Sequence, residues 1–448
     1  MKPKILVILP GLIPSTLINV ATPVIDMHKA GRIIAHITLE TTVREKDVTW
    51  SDLVILCRNT DPERALWFLN ILEKNKPYIY DIDDNFFELS ADTILGEYYR
   101  APERIGLLKE FIQHANLVRV YSEPMKERAL GLNPNTIKVT GPVDWRLLSP
   151  VREANEQKNV KIVYATSRVN DNLAEIFKPA LKRILENYKD RVQVYFLGYN
   201  PDEFKTYPNV FFKPLNLNYE QYLRYFSSAG FDIGLAPLLD DIFHRSKSNL
   251  KVREYGACRI AGIYSNVDVY SSSVDHGENG LLVDNTPQAW YDAMSELIEH
   301  RELRLKIQEQ AYLFAQQNFS QEAFAQLWHH QITEVLQKPL KREVVSGIVD
   351  ALIPRKSNPL LECVQEFFSR LAELPDTLRG AGLKSGLDSL AFPFQKLLPQ
   401  TWLGIKYSYL SSGVKSYGNG FIGSYFRAVF QGYWLYLKIK LELLFPKK

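Results

Sequence analysis

Short apolar runs rich in β-branched residues alternate with helical patterns, and this alternation constrains the fold more than any other feature. In the first third of the chain the runs are ILVILP (5–10), IAHITL (34–39), DLVILC (52–57), YIYDI (78–82) and LVRVYS (117–122). Continuous apolar character is typical of strands in a parallel sheet that is covered on both faces. Helical patterns lie between the runs, at about 15–30, 61–75, 102–115 and 123–131, so the sequence predicts right-handed βαβ crossovers.

The same rhythm starts again after a polar stretch that contains Pro142 and Pro150. Further strands are predicted at 160–166, 192–198, 209–214, 231–237, 259–265 and 280–284. Consecutive helices follow over 287–336, and Ser320 is the expected N-cap of the last one. We therefore predict an α/β protein with two doubly wound, Rossmann-like domains, 1–150 and 151–338, whose strand ends face one shared cleft.

Residues 339–448 are predicted to form a helical appendage of a different character. They hold 15 Lys or Arg against 8 Asp or Glu, whereas residues 1–338 carry a net charge of −4. Aromatic residues together with lysines are typical of a helix lying on an anionic membrane surface. Arg427 interrupts the apolar segment 421–437, which argues against a membrane-spanning helix. The alternatives are an arm packed on the same chain or on a partner subunit, and nucleic-acid binding.

Several function classes are excluded by what the sequence lacks. There is no Gly-x-Gly-x-x-Gly and no Walker sequence, which argues against dinucleotide oxidoreductases and P-loop enzymes. The three cysteines lie far apart without metal-ligand spacing, as expected of a cytoplasmic protein with buried thiols. We expect no cofactor and no metal. Gly11, directly after the first strand, is a candidate donor-binding residue, although a glycine there also merely permits a turn.

The densest functional signal lies at 231–285, where a helix is predicted to start near Lys247 or Ser248. Lys247, Lys251 and Glu254 are spaced four and three residues apart, so they would share one helix face. Cations at a helix N-terminus interact unfavourably with the helix macrodipole. A phosphate bound at the same end would compensate for that interaction. The pattern therefore predicts an anion site, with Glu254 free to accept hydrogen bonds from sugar hydroxyls. The alternative is an ordinary exposed ion pair between Lys251 and Glu254.

This region resembles the nucleotide-sugar-dependent glycosyltransferases of group 1, family 4 type, which have the GT-B fold. The matching segments are GLAPL, KSNLKVREYGA, YSNVDVY and HGENGLLVDNTPQAWYDAMSEL, and YDIDDNFF matches more loosely. The resemblance implies transfer of a hexose-type sugar from a nucleoside diphosphate sugar to a cell-surface polysaccharide or a lipid-linked glycan. Together with the composition of the tail, this leads us to expect a cytoplasmic protein that lies at the inner face of the cell membrane.

The resemblance assigns roles residue by residue to the donor side. It implies that Glu254 binds the donor ribose, and that Lys247, Lys251 and Arg168 bind the diphosphate. For Arg168, whose guanidinium can grip two phosphate oxygens, a solvated loop position is the alternative. The family usually has a second Glu eight residues before Glu254, where this chain has Ser246. This departure leaves the donor sugar and the anomeric outcome open.

Three carboxylates end the fourth predicted strand, in the segment YDIDDNFF. Alternation points Asp81 and Asp83 to one face of the sheet, and Asp84 lies in the turn. We expect Asp83 or Asp84 to act on the acceptor side as a catalytic or hydroxyl-binding group, with a pKa raised by neighbouring carboxylates. A metal site and a turn in which an Asp caps the next helix are the alternatives.

Two other function classes stay open at this point. The same fold hosts nucleotide-sugar epimerases, which convert the donor without an acceptor. A non-catalytic member that binds glycans or serves as a scaffold is the other alternative, because Ser246 replaces a carboxylate of the family motif.

Overall fold

The computed structural model describes residues 2–90, 94–149, 159–166, 172–213 and 219–338, together with Ile439 and Leu443. Two six-stranded parallel sheets organise these residues, one in each half of the chain. The prediction of two doubly wound α/β domains is therefore confirmed. The tail beyond Lys338 lies outside the described residues, apart from the two apolar residues named above.

The first sheet has the strand order β2-β1-β3-β4-β5-β6, and all of its pairings are parallel. Its strands are β1 (Lys4–Leu9), β2 (Ile34–Leu39), β3 (Leu53–Cys57), β4 (Tyr78–Ile82), β5 (Leu117–Val120) and β6 (Thr136–Lys138). Every residue of β3 and β4 is buried, as expected of central strands with helices on both faces. The three-residue strand β6 was not predicted.

The described part of the first domain contains seven α-helices. They are α1 (Pro14–Thr16), α2 (Thr22–Lys29), α3 (Glu45–Trp50), α4 (Leu66–Glu73), α5 (Ile94–Tyr99), α6 (Pro102–Gln113) and α7 (Glu123–Leu130). A π-helical turn over Leu17–Ala21 joins α1 to α2, so that the predicted helix at about 15–30 is one continuous but irregular element. The helices α3 and α5 were not predicted.

The second sheet has the order β12-β11-β10-β7-β8-β9, again with parallel pairings. Its strands are β7 (Val160–Ala165), β8 (Val192–Leu197), β9 (Val210–Lys213), β10 (Ile233–Ala236), β11 (Ala261–Ser265) and β12 (Leu281–Val283). All six were predicted to within a few residues. Its α-helices are α8 (Lys178–Tyr188), α9 (Tyr219–Ser228), α10 (Ile242–Arg245), α11 (Leu250–Ala257), α12 (Asp268–Ser271), α13 (Pro287–Glu299), α14 (Arg301–Asn318) and α15 (Gln321–Gln337).

The last helix, α15, returns to the first domain. Ser320 caps it by accepting a hydrogen bond from the backbone N–H of Ala323 at 3.2 Å, which confirms the predicted N-cap. Trp328 is fully buried among first-domain residues and donates its indole N–H to the carbonyl of Asn19 at 2.8 Å. The two domains are therefore joined both by the chain that crosses near Pro142 and by α15.

Two tail residues also pack against the first domain. Ile439 is buried in the same apolar cluster as Trp328, and Leu443 packs against its margin. The backbone carbonyl of Leu443 lies 2.9 Å from His28 Nε2. These contacts favour the alternative that part of the tail packs on its own chain. No helix within the described ranges is both long enough and apolar enough to cross a bilayer.

Candidate active site

The two domains meet where their parallel strands end, and the contact runs through the turn before α11. Asn85, just after β4, donates its amide to Ser246 Oγ at 3.0 Å. Ser122, after β5, donates its hydroxyl to the backbone carbonyl of Ser246 at 2.8 Å. Phe243 of α10 is buried in the first-domain core. The carboxyl ends of both sheets therefore border one interdomain site, as expected for doubly wound folds.

Ser246 is almost completely buried at this boundary, and its groups are used for contacts between the domains. Its hydroxyl donates to the carbonyl of Ile242 at 2.6 Å and accepts the hydrogen bond from Asn85. The position at which the family usually carries a carboxylate is therefore occupied here by an interdomain contact. Because these bonds hold residue 246 in a turn, α11 starts at Leu250 rather than near Lys247.

Because α11 starts at Leu250, Lys247 lies before the helix, whereas Lys251 and Glu254 lie within it as predicted. Lys247 lies in the turn, and its Nζ is 3.8 Å from Asp84 Oδ1 across the domain boundary. The predicted single helix face therefore holds for Lys251 and Glu254 only. Their side chains form an ion pair of 2.8 Å between Nζ and Oε2.

The pair of Lys251 and Glu254 is not an ordinary exposed one. Glu254 is only 2% exposed, and its Oε2 also accepts a hydrogen bond from Tyr222 Oη at 3.2 Å. Tyr219 bonds the same carboxylate, and burial together with the negative charge of Glu254 raises the pKa of that phenol well above its ordinary value. Tyr219 packs against Ile18 of the first domain, so the carboxylate lies close to the domain boundary.

Arg253, next to Glu254, is a buried cation that was not predicted. Its Nη1 donates to the carbonyl of Pro142 at 2.9 Å, and its Nε has no hydrogen-bond partner in the described part of the chain. Within those residues no carboxylate oxygen lies within 4.0 Å of it, and burial lowers its pKa. Arg253 lies within the motif KVREYGA, directly before Glu254, so its place near the predicted donor site could have been inferred from the sequence.

On the first-domain side, Arg58 joins the two candidate carboxylates. Its Nη1 lies 2.8 Å from Asp83 Oδ1, and its Nη2 lies 3.2 Å from Asp84 Oδ2. Arg58 also donates to Ser15 Oγ at 3.0 Å, which fixes the loop after β1 beside this ion pair. Gly11 belongs to that loop and accepts a hydrogen bond from the hydroxyl of Thr16 at 2.8 Å.

The electrostatics of Asp83 agree with a buried, partly neutralised carboxylate. Burial raises its pKa, the Arg58 guanidinium opposes that shift, and the nearby Asp84 adds to it. The sequence predicted the contribution of the carboxylates but missed the arginine. Arg58 adopts a left-handed conformation, with φ of 56°, directly after β3, and no local pattern announces that geometry.

Asp81 serves a different purpose from Asp83 and Asp84. It is fully buried opposite Arg119 in the register of β4 and β5, at 3.2 Å from Arg119 Nε, and it accepts a hydrogen bond from Tyr121. Burial raises the pKa of Asp81 to about 7. Arg119 in turn stacks on Trp328 and donates to Gln331 at 2.6 Å, so this pair links the sheet to α15.

Two predicted features cannot be placed in the site by the structure. Arg168 lies outside the described residues, as does most of the tail. Among the residues that are described, no three His, Cys, Asp or Glu side chains are grouped as a metal site.

The comparisons with known proteins agree with this geometry. The model of the family described as glycosyl transferases group 1 matches residues 159–300. No curated protein matches the chain. The glycosyltransferase from Rickettsia africae ESF-5 is a similar solved structure, with 13% identity over 75% of this chain and 100% of that one, and a TM-score of 0.57.

Two further solved structures are similar at the same level. Sucrose-phosphate synthase from Thermosynechococcus elongatus shares 13% identity over 75% of this chain and 99% of its own, with a TM-score of 0.55. Anabaena HepE, in complex with UDP and glucose, shares 14% identity over 74% of this chain and 100% of its own, with a TM-score of 0.53. The chain therefore has the two-domain GT-B fold, and residues 159–300, most of its second domain, match the group 1 glycosyl transferase family model.

Proposed function

We propose that the protein is a glycosyltransferase that moves a hexose-type sugar from a nucleoside diphosphate sugar to a polysaccharide or lipid-linked glycan acceptor. The observation that carries this proposal is the buried carboxylate of Glu254, held by Lys251 and Tyr222 beside the domain boundary. A buried carboxylate in a cleft is suited to accept hydrogen bonds from vicinal hydroxyls such as those of a ribose. The HepE structures contain UDP, glucose and UDP-glucose, which supports a uridine nucleotide as the first donor to test.

The cations of the second domain supply the chemistry that a departing diphosphate needs. Lys247 lies in the turn that leads into α11, Lys251 lies in the first turn of that helix, and Arg168 follows β7 in the sequence. Fixed positive groups stabilise charge that develops on the leaving group, so transfer proceeds without a divalent metal in this proposal. Asp83 or Asp84, held by Arg58, acts on the acceptor side.

Membrane association is part of the proposal and rests on the composition of the tail. Thr377–Lys448 holds ten basic residues against two acidic ones, and aromatic residues are frequent in it. Such a segment binds anionic lipid surfaces when its rings reach the headgroup region. The protein would then act at the inner face of the membrane, where lipid-linked acceptors are available.

The experiment uses a panel of nucleoside diphosphate sugars and measures free nucleoside diphosphate with and without glycan acceptors. A glycosyltransferase releases the diphosphate faster when an acceptor is present. An epimerase converts the donor without an acceptor, and a scaffold protein does neither.

Calorimetry of nucleotide binding then tests the role of Glu254. We expect Glu254→Gln to weaken binding by roughly 10- to 100-fold, because hydrogen bonds to a charged group contribute about 1.5–3 kcal/mol. The matched control is Glu278→Gln, which changes an exposed glutamate paired with Lys306. Equal affinities of the two variants would contradict the assigned role.

A further inference from the structure

Two consecutive residues of the first domain contact two consecutive residues of the second domain at the boundary. Asn85 donates to Ser246 Oγ at 3.0 Å, and the preceding residue, Asp84, places its Oδ1 3.8 Å from Lys247 Nζ. Ser246 and Lys247 lie just before α11, whose N-terminal end is the expected anion site. A carboxylate of the first domain is therefore paired with a cation that the donor diphosphate is proposed to use.

The start of α11 carries positive charge and no carboxylate of its own. Its first turn contains Lys251 and no acidic residue. Asn249, at the N-cap, donates its amide to Ser273 and makes no side-chain hydrogen bond to the helix. Backbone N–H groups without a side-chain cap, together with nearby cations, favour an anion at a helix N-terminus. Asp84 brings a negative charge to this end from the other domain.

The two oxygens of Asp84 contact cations from different domains. Oδ2 lies 3.2 Å from Arg58 Nη2 of its own domain, and Oδ1 lies 3.8 Å from Lys247 Nζ of the other. Charge-assisted hydrogen bonds normally measure about 2.7–2.9 Å, so the contact with Lys247 is the weaker of the two. Asp84 can therefore leave Lys247 and stay paired with Arg58.

The position of Lys247 depends on more than this carboxylate. Its side chain is 12% exposed, and its Nζ lies 4.1 Å from the centre of the Phe243 ring. Phe243 is itself buried in the core of the first domain. An ammonium group is attracted to the face of an aromatic ring, so Lys247 keeps a contact at the boundary when its anionic partner changes.

Asp83, one residue earlier, differs from Asp84 in this respect. Its Oδ1 lies 2.8 Å from Arg58 Nη1. Within the described ranges, no cation of the second domain lies within 4.0 Å of its carboxylate oxygens. The two neighbouring carboxylates therefore share Arg58, but only Asp84 reaches the second domain.

From these contacts we infer that Asp84 is a displaceable counterion of the donor site, whose place at Lys247 is taken by the donor diphosphate. A diphosphate carries more negative charge than one carboxylate and accepts hydrogen bonds through several oxygens, so it competes effectively for the ammonium group. The exchange removes one contact between the domains and so couples donor binding to their contact. This inference rests on the proposed function, because it names the group that the donor displaces.

Calorimetry on the full chain, with UDP and with inorganic pyrophosphate, tests the inference. We expect Asp84→Asn to tighten the binding of both by roughly tenfold, a change of about 1.4 kcal/mol, because no carboxylate then competes for Lys247. Asp83→Asn is the matched control, since it removes the same charge beside the same Arg58, and it should change affinity by less than about threefold. Equal tightening in both variants, or unchanged affinity in Asp84→Asn, would overturn the inference.

A double-variant cycle assigns the effect to the lysine. Lys247→Met should weaken the binding of both probes, and in its background Asp84→Asn should change affinity by at most about twofold. A tenfold gain that persists without the lysine would overturn the inference. Melting curves establish that each variant folds. Asp84→Ser, which also removes the charge, replaces Asp84→Asn if the latter does not fold, with the same expected gain.

Failure of the proposed function is recognised separately. If no nucleoside diphosphate sugar is turned over, yet Asp84→Asn still tightens pyrophosphate binding, the counterion role stands without glycosyl transfer. If donors are turned over and Asp84→Asn leaves both affinities unchanged, the proposed function stands and the inference fails. If neither the wild type nor Asp84→Asn binds either probe, the inference is overturned, whatever the turnover assay shows.

Discussion

On the first-domain face of the cleft, the buried carboxylates pair mainly with an arginine of the same domain, whereas two cations of the second-domain face contact groups outside their own domain. Arg58, a residue of the same domain, pairs with Asp83 at 2.8 Å and with Asp84 at 3.2 Å. Lys247, in contrast, reaches towards Asp84, and Arg253 donates to the carbonyl of Pro142 in the crossing segment. The first face therefore has its strongest ion pairs within one domain, whereas Lys247 and Arg253 of the second face depend on contact between the domains.

This difference agrees with what the two faces are proposed to bind. A donor carries a diphosphate, and the second domain presents Lys247, Lys251 and Arg253 near the boundary, which suits that charge. An acceptor is a polyol, so the first domain presents charges of both signs in balance. We therefore expect substitutions in the first face to lower the free energy of unfolding most. Substitutions in the second face should mainly weaken the contact between the domains.

The largest expected effect comes from removing the arginine that neutralises the first face. Arg58→Met leaves Asp83 and Asp84 buried without their guanidinium, so the free energy of unfolding should fall by about 3–5 kcal/mol. Urea denaturation followed by tryptophan fluorescence measures this loss. The control is Arg224→Met, which breaks an exposed pair with Glu220 and should cost at most about 1 kcal/mol.

The same variant carries a pH dependence whose sign follows from the buried carboxylates. Without Arg58 the folded-state pKa of Asp83 lies still further above its unfolded value, so the folded state binds more protons. Stability should then decrease as the pH rises from about 4, the ordinary Asp value, towards neutrality. The deficit relative to wild type would be larger at neutral than at acidic pH. Equal losses for Arg58→Met and Arg224→Met would refute the comparison.

The sequence predicted the second face better than the first, for a physical reason. Lys251 and Glu254 lie three residues apart on one helix, so local periodicity brings them together. Asp83 and Arg58 come from different strands, and their contact needs the whole sheet and a left-handed residue after β3. Similarly, eleven of the twelve strands were predicted because apolar runs mark them, whereas β6, with the sequence TIK, contains only one apolar residue.

The contacts between the two domains were the part of the structure that the sequence predicted least. Ser246 reads as a missing carboxylate when only the sequence is considered, yet in the structure it connects Asn85 and Ser122 of the other domain. No pattern within one segment contains that contact. The hydrogen bond from Asn59 to Glu40 was missed in the same way, because the two residues follow different strands and meet only at the edge of the sheet.

An intermediate loss of stability is expected for Gly141→Ala, a substitution that tests how Arg253 of the second face is held. A Cβ at this position would overlap Arg253 Nη1 and lie 2.9 Å from its Cζ, so Gly141→Ala must displace the guanidinium from Pro142. Overpacking of this kind typically costs about 1–3 kcal/mol. Denaturant titration measures it, with Gly131→Ala as the control, because the nearest atom there is 3.5 Å away in ordinary contact.

A double-variant cycle assigns that cost to the arginine. In an Arg253→Met background the added methyl group meets a flexible side chain, so Gly141→Ala should be nearly neutral. Additive costs in the cycle would show that Gly141 matters for another reason. The comparison would then lose its evidence that Arg253 is held across the boundary.

The smallest expected effect tests a single interdomain hydrogen bond, that between Asn85 and Ser246. Each of the variants Asn85→Ala and Ser246→Ala removes the bond, and the double variant removes both partners, so the cycle isolates their coupling. We expect a coupling energy of about 0.5–1.5 kcal/mol, the usual net value of one hydrogen bond. Because the bond joins the domains only when they are in contact, saturating nucleotide should alter the coupling if donor binding changes that contact. A coupling near zero would mean that the domains unfold independently of this bond, and the second face would not depend on Ser246.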